Sequence, residues 1–163
     1  MKYVVTGHTS GIGKELFNKL QPNVKGYSLS SGFDINNKQQ RTSIIQRNLD
    51  ADVFINCAED KFGQSLLLLE LYEEFKNTNK IVINVGSNVT EINLCDAPNL
   101  LDYYTYKKTL KTLSNDLDKL STLNVKYVTF GYVGTERMFK KHPEVIDYIT
   151  VDKAVGIILD EIF

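Results

Sequence analysis

Three stretches of this chain carry residue types whose spacing could support chemistry. TGHTSGIGKEL (residues 6–16) places Gly7, Gly11 and Gly13 close together. Glycines at such positions let a backbone approach a phosphate, and a helix beginning there offers its unpaired N–H groups to it. The P-loop alternative fails, because Gly13-Lys14 is followed by Glu15 and the position five before Gly13 is His8. In DYYTYKKTL (residues 102–110) a tyrosine stands four places before a lysine twice, as Tyr103/Lys107 and Tyr104/Lys108. A phenol ionises near pH 10 when free, and an ammonium one helical turn away favours its ionised form, as an acid–base group requires. Ser87, in VGSN, could add a hydroxyl.

These residues sit between two kinds of segment. Lys2–Thr6, Val24–Leu29, Asp52–Asn56, Lys80–Val85 and Val125–Phe130 are short and mostly apolar, as strands covered on both faces are. Helical patterns occupy Gly13–Leu20, Asn37–Asn48 (the weakest), Ser65–Lys76, about Tyr103–Leu120 and Val151–Ile162. Alternation of this kind predicts an α/β fold: one doubly wound parallel sheet of about five strands within a single domain, residues 1–163. Ligands bind such sheets at the carboxyl ends of the strands, where the three stretches fall.

Composition narrows the classes. The chain has 163 residues, 19 Lys plus Arg and 20 Asp plus Glu, for a net charge of −1. That balance gives no general pull toward nucleic acid or an anionic membrane. Its longest apolar run, Leu66–Leu69, is too short to span a bilayer. MKYVVTGHTSG does not read as a secretory signal. Cys57 and Cys95 have no Cys-x-x-Cys spacing, and His8 and His142 stand alone. A reduced cytoplasmic location without a zinc site is expected.

Helix geometry separates the two tyrosines. At about 100° per residue, Tyr103 and Lys107 lie about 40° and 80° from the apolar Leu117, whereas Tyr104 and Lys108 lie about 140° and 180° away. The first pair belongs to the face that packs toward the sheet.

Five features in this order, each at the end of an expected strand, resemble the short-chain dehydrogenase/reductase family. They are the glycine turn TGHTSGIG, Asn56-x-Ala58, Ser87 after the fourth strand, Tyr103-x-x-x-Lys107, and Gly131-x-Val133-x-Thr135 after the last strand. The resemblance runs from Tyr3 to about Ile158. It implies a Rossmann-like sheet and a nicotinamide cofactor. Reducing a carbonyl needs a hydride, which no side chain donates, and a proton, which a phenol can. By resemblance Tyr103 is the acid/base, Lys107 favours its phenolate and holds the nicotinamide ribose, and Ser87 bonds the substrate oxygen. Gly7, Gly11, Ile12 and Gly13, with His8, Thr9 and Ser10 between them, would contact the pyrophosphate and adjoining ribose. Asn56 and Ala58 would line the adenosine ribose, Asp34 with Ile35 the adenine, and Gly131, Val133 and Thr135 the nicotinamide carboxamide.

The chain also departs from the family pattern. Glu59 stands where the family has Gly, and Phe130 where it has Pro. Asp60 or Gln64 occupies the neighbourhood of a catalytic Asn. Only 21 residues separate Gly13 from Asp34, so a helix and the third strand are reduced, and no extra strand follows the last helix. The stretch Ser28–Ser31 offers hydroxyls, Ser30 among them, and no carboxylate to repel a 2′-phosphate. NADP is therefore expected over NAD, with those hydroxyls and His8 as contacts. Residues 136–150 would form a short substrate lid walled by Met138, Phe139 and Tyr148.

The function expected is hydride transfer between NAD(P) and a small carbonyl or alcohol. A non-catalytic dinucleotide-binding sensor or scaffold is the alternative, and a Rossmann enzyme without hydride transfer a third. A homodimer or homotetramer through the helices at 65–76 and 103–120 is expected, because Ser65–Phe75 carries more leucine than one core stripe needs.

Overall fold

The β-branched and aromatic runs become five strands in the computed structural model, which describes residues 1–163: β1 (Tyr3–Thr6), β2 (Val24–Tyr27), β3 (Val53–Asn56), β4 (Ile81–Val85) and β5 (Asn124–Val128). They form one parallel sheet in the order β2-β1-β3-β4-β5. The inner strands β1, β3 and β4 are buried almost throughout, which is why they read as unbroken apolar runs. The edge strands are mixed: Lys25 is exposed in β2, and Lys126 and Tyr127 are half-buried in β5.

Six helices cover the sheet: α1 (Gly11–Lys19), α2 (Lys38–Gln46), α3 (Gly63–Phe75), α4 (Leu101–Leu120), α5 (Glu136–Lys141) and α6 (Val151–Asp160). Alternate residues of a strand point to opposite faces, so the sheet feeds two cores. Val4, Phe54, Val82 and Val125 pack with Ile44, Leu67, Leu71, Leu110 and Leu117 from α2, α3 and α4. On the other face Val5, Ile55, Ile83 and Val128 pack with Leu16 of α1 and Ala154, Val155 and Ile158 of α6. The strand order reverses between β1 and β3, which opens the crevice where doubly wound sheets bind ligands.

The weak periodicity of α2 has a local cause: its buried face includes Arg41. The guanidinium donates to the Ile35 carbonyl at 2.8 Å and to Glu70 Oε1 at 3.0 and 2.8 Å. A charged residue therefore fills an inward position where a leucine would mark a helix in the sequence. Between β2 and α2 there is no further strand, so the strand expected there in reduced form is missing. Past β2, Ser28 caps a 3-10 turn (Leu29–Ser31) that ends at Gly32 with φ +87°, and the chain then runs to Asn37, which caps α2. No strand follows α6. No helix is long and apolar enough to cross a membrane.

Candidate active site

The glycine turn folds tightly over the β1 end of the crevice. Gly7 and Gly11 adopt φ +74° and +52°, left-handed values that a side chain disfavours. A Cβ on Gly7 would lie 3.0 Å from the Ala58 backbone, and one on Gly13 only 2.3 Å from the Gly7 carbonyl oxygen. Gly11 abuts Thr135, whose Cγ2 would be 3.2 Å from an added Cβ. Thr135 is itself fixed as the cap of α5, accepting from the Met138 amide at 3.1 Å. Ser10 makes no side-chain cap to α1, the first turn has no acidic residue, and the amides of Gly11, Ile12 and Gly13 donate to no protein acceptor. Free donors at the positive end of a helix fit a phosphate group.

The second half of the site stands on α4. Lys107 is buried while Lys108 is exposed. Lys107 Nζ donates to Gln64 Oε1 at 2.7 Å and to the Val85 carbonyl at 3.3 Å, and Glu59 Oε2 lies 3.6 Å away. The same ammonium sits 5.7 Å from the centre of the Tyr103 ring. Burial and then the Glu59 carboxylate push the Tyr103 phenol up to about 12, while hydrogen bonding from Ser87 pulls it down. The phenol is therefore raised, where the neighbouring ammonium alone predicts a lowered value. Desolvation and Glu59 set that direction, and Lys107 is itself held below its ordinary value by burial.

Ser87 is positioned from two sides. Its Oγ accepts from the Val89 amide at 3.2 Å, and its own amide donates to Tyr127 Oη at 3.3 Å. That hydroxyl donates in turn to the Lys107 carbonyl at 3.4 Å. Gly86 leaves room for the Tyr127 ring, whose Cζ would lie 2.1 Å from a Cβ there. Tyr127 thus ties the end of β4 to α4. The two halves of the site meet at residues 58 and 59, since Ala58 touches Gly7 and Glu59 reaches Lys107.

No family model matches this chain, and no curated protein does. Solved structures do. A short chain dehydrogenase from Burkholderia cenocepacia J2315 in complex with NADP superposes with a TM-score of 0.79 at 18% identity, covering 99% of this chain and 86% of that one. The 3-alpha-hydroxysteroid dehydrogenase from Pseudomonas sp. B-0831 complexed with NADH gives 0.73 at 18%, covering 98% and 88%. A small-chain dehydrogenase in complex with NADPH gives 0.76 at 16%, covering 99% and 90%. This chain has the short-chain dehydrogenase fold.

Asn56 is 1% exposed. Its Oδ1 accepts from Thr6 Oγ1 at 3.3 Å, its amide donates to the Gln64 carbonyl and to Asn84 Oδ1, both at 3.0 Å, and its carbonyl accepts from Gln64 Nε2 at 2.8 Å. Asn84 continues the row to Ser114 at 3.2 Å. Asn56 holds the ends of β1, β3 and β4 and the start of α3 together. Asn56→Ala would strand three of these buried partners, and a loss of about 2–4 kcal/mol is expected in urea denaturation.

His8 packs on Gly26, whose missing Cβ makes room for the ring, and lies 5.0 Å from Phe17, with its Nδ1 buried and unpaired. Asp34 accepts from the Asn36 amide at 2.8 Å, and Ile35 is buried against Gly63. Ser30 Oγ donates to Thr9 Oγ1 at 2.9 Å, joining the hydroxyl cluster of Ser28, Ser30 and Ser31 to the glycine turn. Val133 is buried and bridges to Ile149, Gly131 abuts Asn88, and Met138 lies inside while Phe139 and Tyr148 pair edge-to-face at the surface. Burial pushes the Cys57 thiol up to about 12, so it is an inert neutral group beside Lys107. Motif reading overlooked Glu59, Gln64 and Tyr127 as partners of the site. In the sequence Glu59 stands out only as a residue out of pattern, and Gln64 only as one of two residues, with Asp60, in the neighbourhood of a catalytic Asn.

Proposed function

We propose that this chain is an NAD(P)-dependent oxidoreductase acting on a small carbonyl or alcohol, with Tyr103 as its acid/base. The observation that carries the proposal is the junction of a free-amide glycine cradle with a Tyr103–Lys107–Ser87 cluster through Ala58 and Glu59. A nicotinamide bound there would supply the hydride that no side chain can. Gly7 and Gly11–Gly13 would hold the pyrophosphate, Thr9 and Ser30 the adenosine ribose, Lys107 the nicotinamide ribose, and Val133 and Thr135 the carboxamide. Tyr103, neutral at ordinary pH, gives its proton to the substrate oxygen in reduction, and its phenolate takes one back in oxidation. Ser87 orients that oxygen by a hydrogen bond. The serine hydroxyls at the end of β2, with no carboxylate bonded to them, favour NADP over NAD.

Residues 136–150 act as a short lid within one domain, with Phe139 and Tyr148 toward substrate. Leu66 and Leu69 of α3, each 38% exposed, and Phe62 against Tyr106 of α4 support a homodimer or homotetramer through these helices. Free Cys57 and Cys95 accord with the cytoplasm.

Fluorescence titration with NADPH and NADH, followed by a screen of carbonyl substrates, checks the proposal. Saturable binding of NADPH, tighter than NADH, with turnover of at least one substrate is expected. Binding without turnover across a broad panel would leave a dinucleotide-binding module instead, and no binding at millimolar dinucleotide would overturn both.

A further inference from the structure

An ammonium has three N–H donors. Lys107 gives one to Gln64 Oε1 at 2.7 Å and one to the Val85 carbonyl at 3.3 Å, both on buried groups. The remaining one has the Glu59 carboxylate at 3.6 Å. The Lys107 side chain is 4% exposed and that of Glu59 is 37% exposed, so the carboxylate covers the ammonium from the open side of the crevice. Gln64 cannot yield its place cheaply, because its Nε2 is also bonded to the Asn56 and Val85 carbonyls. Val85 O belongs to a central strand. Glu59 is held less tightly, by the longer contact to Lys107 and by hydrogen bonding with the Tyr103 phenol, and its side chain borders water. It also stands where the resemblance has a glycine, so it brings a side chain to a place where that pattern has none.

We propose that Glu59 is a displaceable counter-ion of Lys107, a positioning residue that must swing aside before the lysine can hold the nicotinamide ribose. It rests on the proposed function, in which Lys107 takes that ribose. Paired with Glu59, the buried Lys107 is held in place in the free protein. When the carboxylate leaves, the Lys107 N–H that faced it passes to a ribose hydroxyl, and the binding affinity for the dinucleotide is reduced by the strength of the contact that was broken. Glu59 thereby discriminates against the nicotinamide half of the ligand alone and has no hold over its adenosine half.

Titrations of wild type, Glu59→Gln and Glu59→Ala with NADPH and with 2′,5′-ADP, which lacks the nicotinamide ribose, test this. Glu59→Ala is expected to bind NADPH roughly five- to tenfold more tightly than wild type, with 2′,5′-ADP affinity changed by less than about twofold. Glu59→Gln, which keeps an acceptor but no charge, is expected between the two. Equal tightening of both ligands would show a general charge effect and overturn the proposal, as would unchanged or weaker NADPH binding in Glu59→Ala with its melting temperature intact. NADPH binding by Glu59→Ala alone would be the extreme form of the expected result. No binding of either ligand by any of the three proteins would overturn the proposed function and this inference with it, whereas 2′,5′-ADP binding with NADPH unaffected by Glu59 overturns the inference alone.

Discussion

Tyr103→Phe is expected to lower kcat by about 100- to 10,000-fold while dinucleotide affinity stays within about threefold of wild type. The substitution removes one oxygen and leaves the ring, which keeps its place 5.7 Å from the Lys107 ammonium. What is lost is the proton donor. The phenol is pushed up to about 12, first by burial and then by Glu59, so at neutral pH it carries its proton and is ready for reduction. The sign follows for pH. Reduction should hold level through the neutral range and fall only as pH climbs toward the phenol pKa. Oxidation needs the phenolate and should rise about tenfold per pH unit over the same range. Steady-state rates in both directions, with fluorescence titration of each protein, check this. A Tyr103→Phe protein that turns over like wild type would remove Tyr103 from the chemistry.

Gly13→Ala is expected to be the most damaging change to the cradle. Its Cβ would sit 2.3 Å from the Gly7 carbonyl oxygen, a backbone atom with no flexible side chain to move away. Gly7 cannot retreat, because its own backbone amide is bonded to the Tyr27 carbonyl at 2.7 Å and its α-carbon faces Ala58. The turn must open or α1 must shift. A stability loss of about 3 kcal/mol or more is expected from that overpacking, with at least about a 100-fold fall in kcat/KM from displaced donors. Thermal unfolding and dinucleotide titration measure the two. Gly32→Ala is the contrast: nothing lies within 4 Å of its Cβ, so only the positive φ opposes it and the cradle should bind normally.

Much of the architecture was legible because local rules act on neighbouring residues. The inner strands show as apolar runs because both faces are covered, and the five strands lie where those runs lie. The helix α4 begins at Leu101, and its 3.6-residue period alone assigns Lys107 to the buried face and Lys108 to solvent. The end of β2 was less legible: the chain turns away at Ser28, because a capping serine and a left-handed Gly32 end the strand sooner than its apolar content suggests. The segment at α2 was blurred by Arg41, whose burial becomes reasonable only with Glu70 from another helix beside it.

What the sequence alone determined is the sheet, five of its six helices and which tyrosine and lysine share a face, because periodicity and turn chemistry depend on residues a few positions apart; α5, inside the stretch expected as a lid, was not among them. The tertiary structure decided how the site is charged: Gln64 meets Lys107 from 43 residues away, Glu59 supplies the opposing carboxylate, and Asn56 goes into the strand-end network. Burial and long-range neighbours set protonation and hydrogen bonding, and neither exists until the chain has folded.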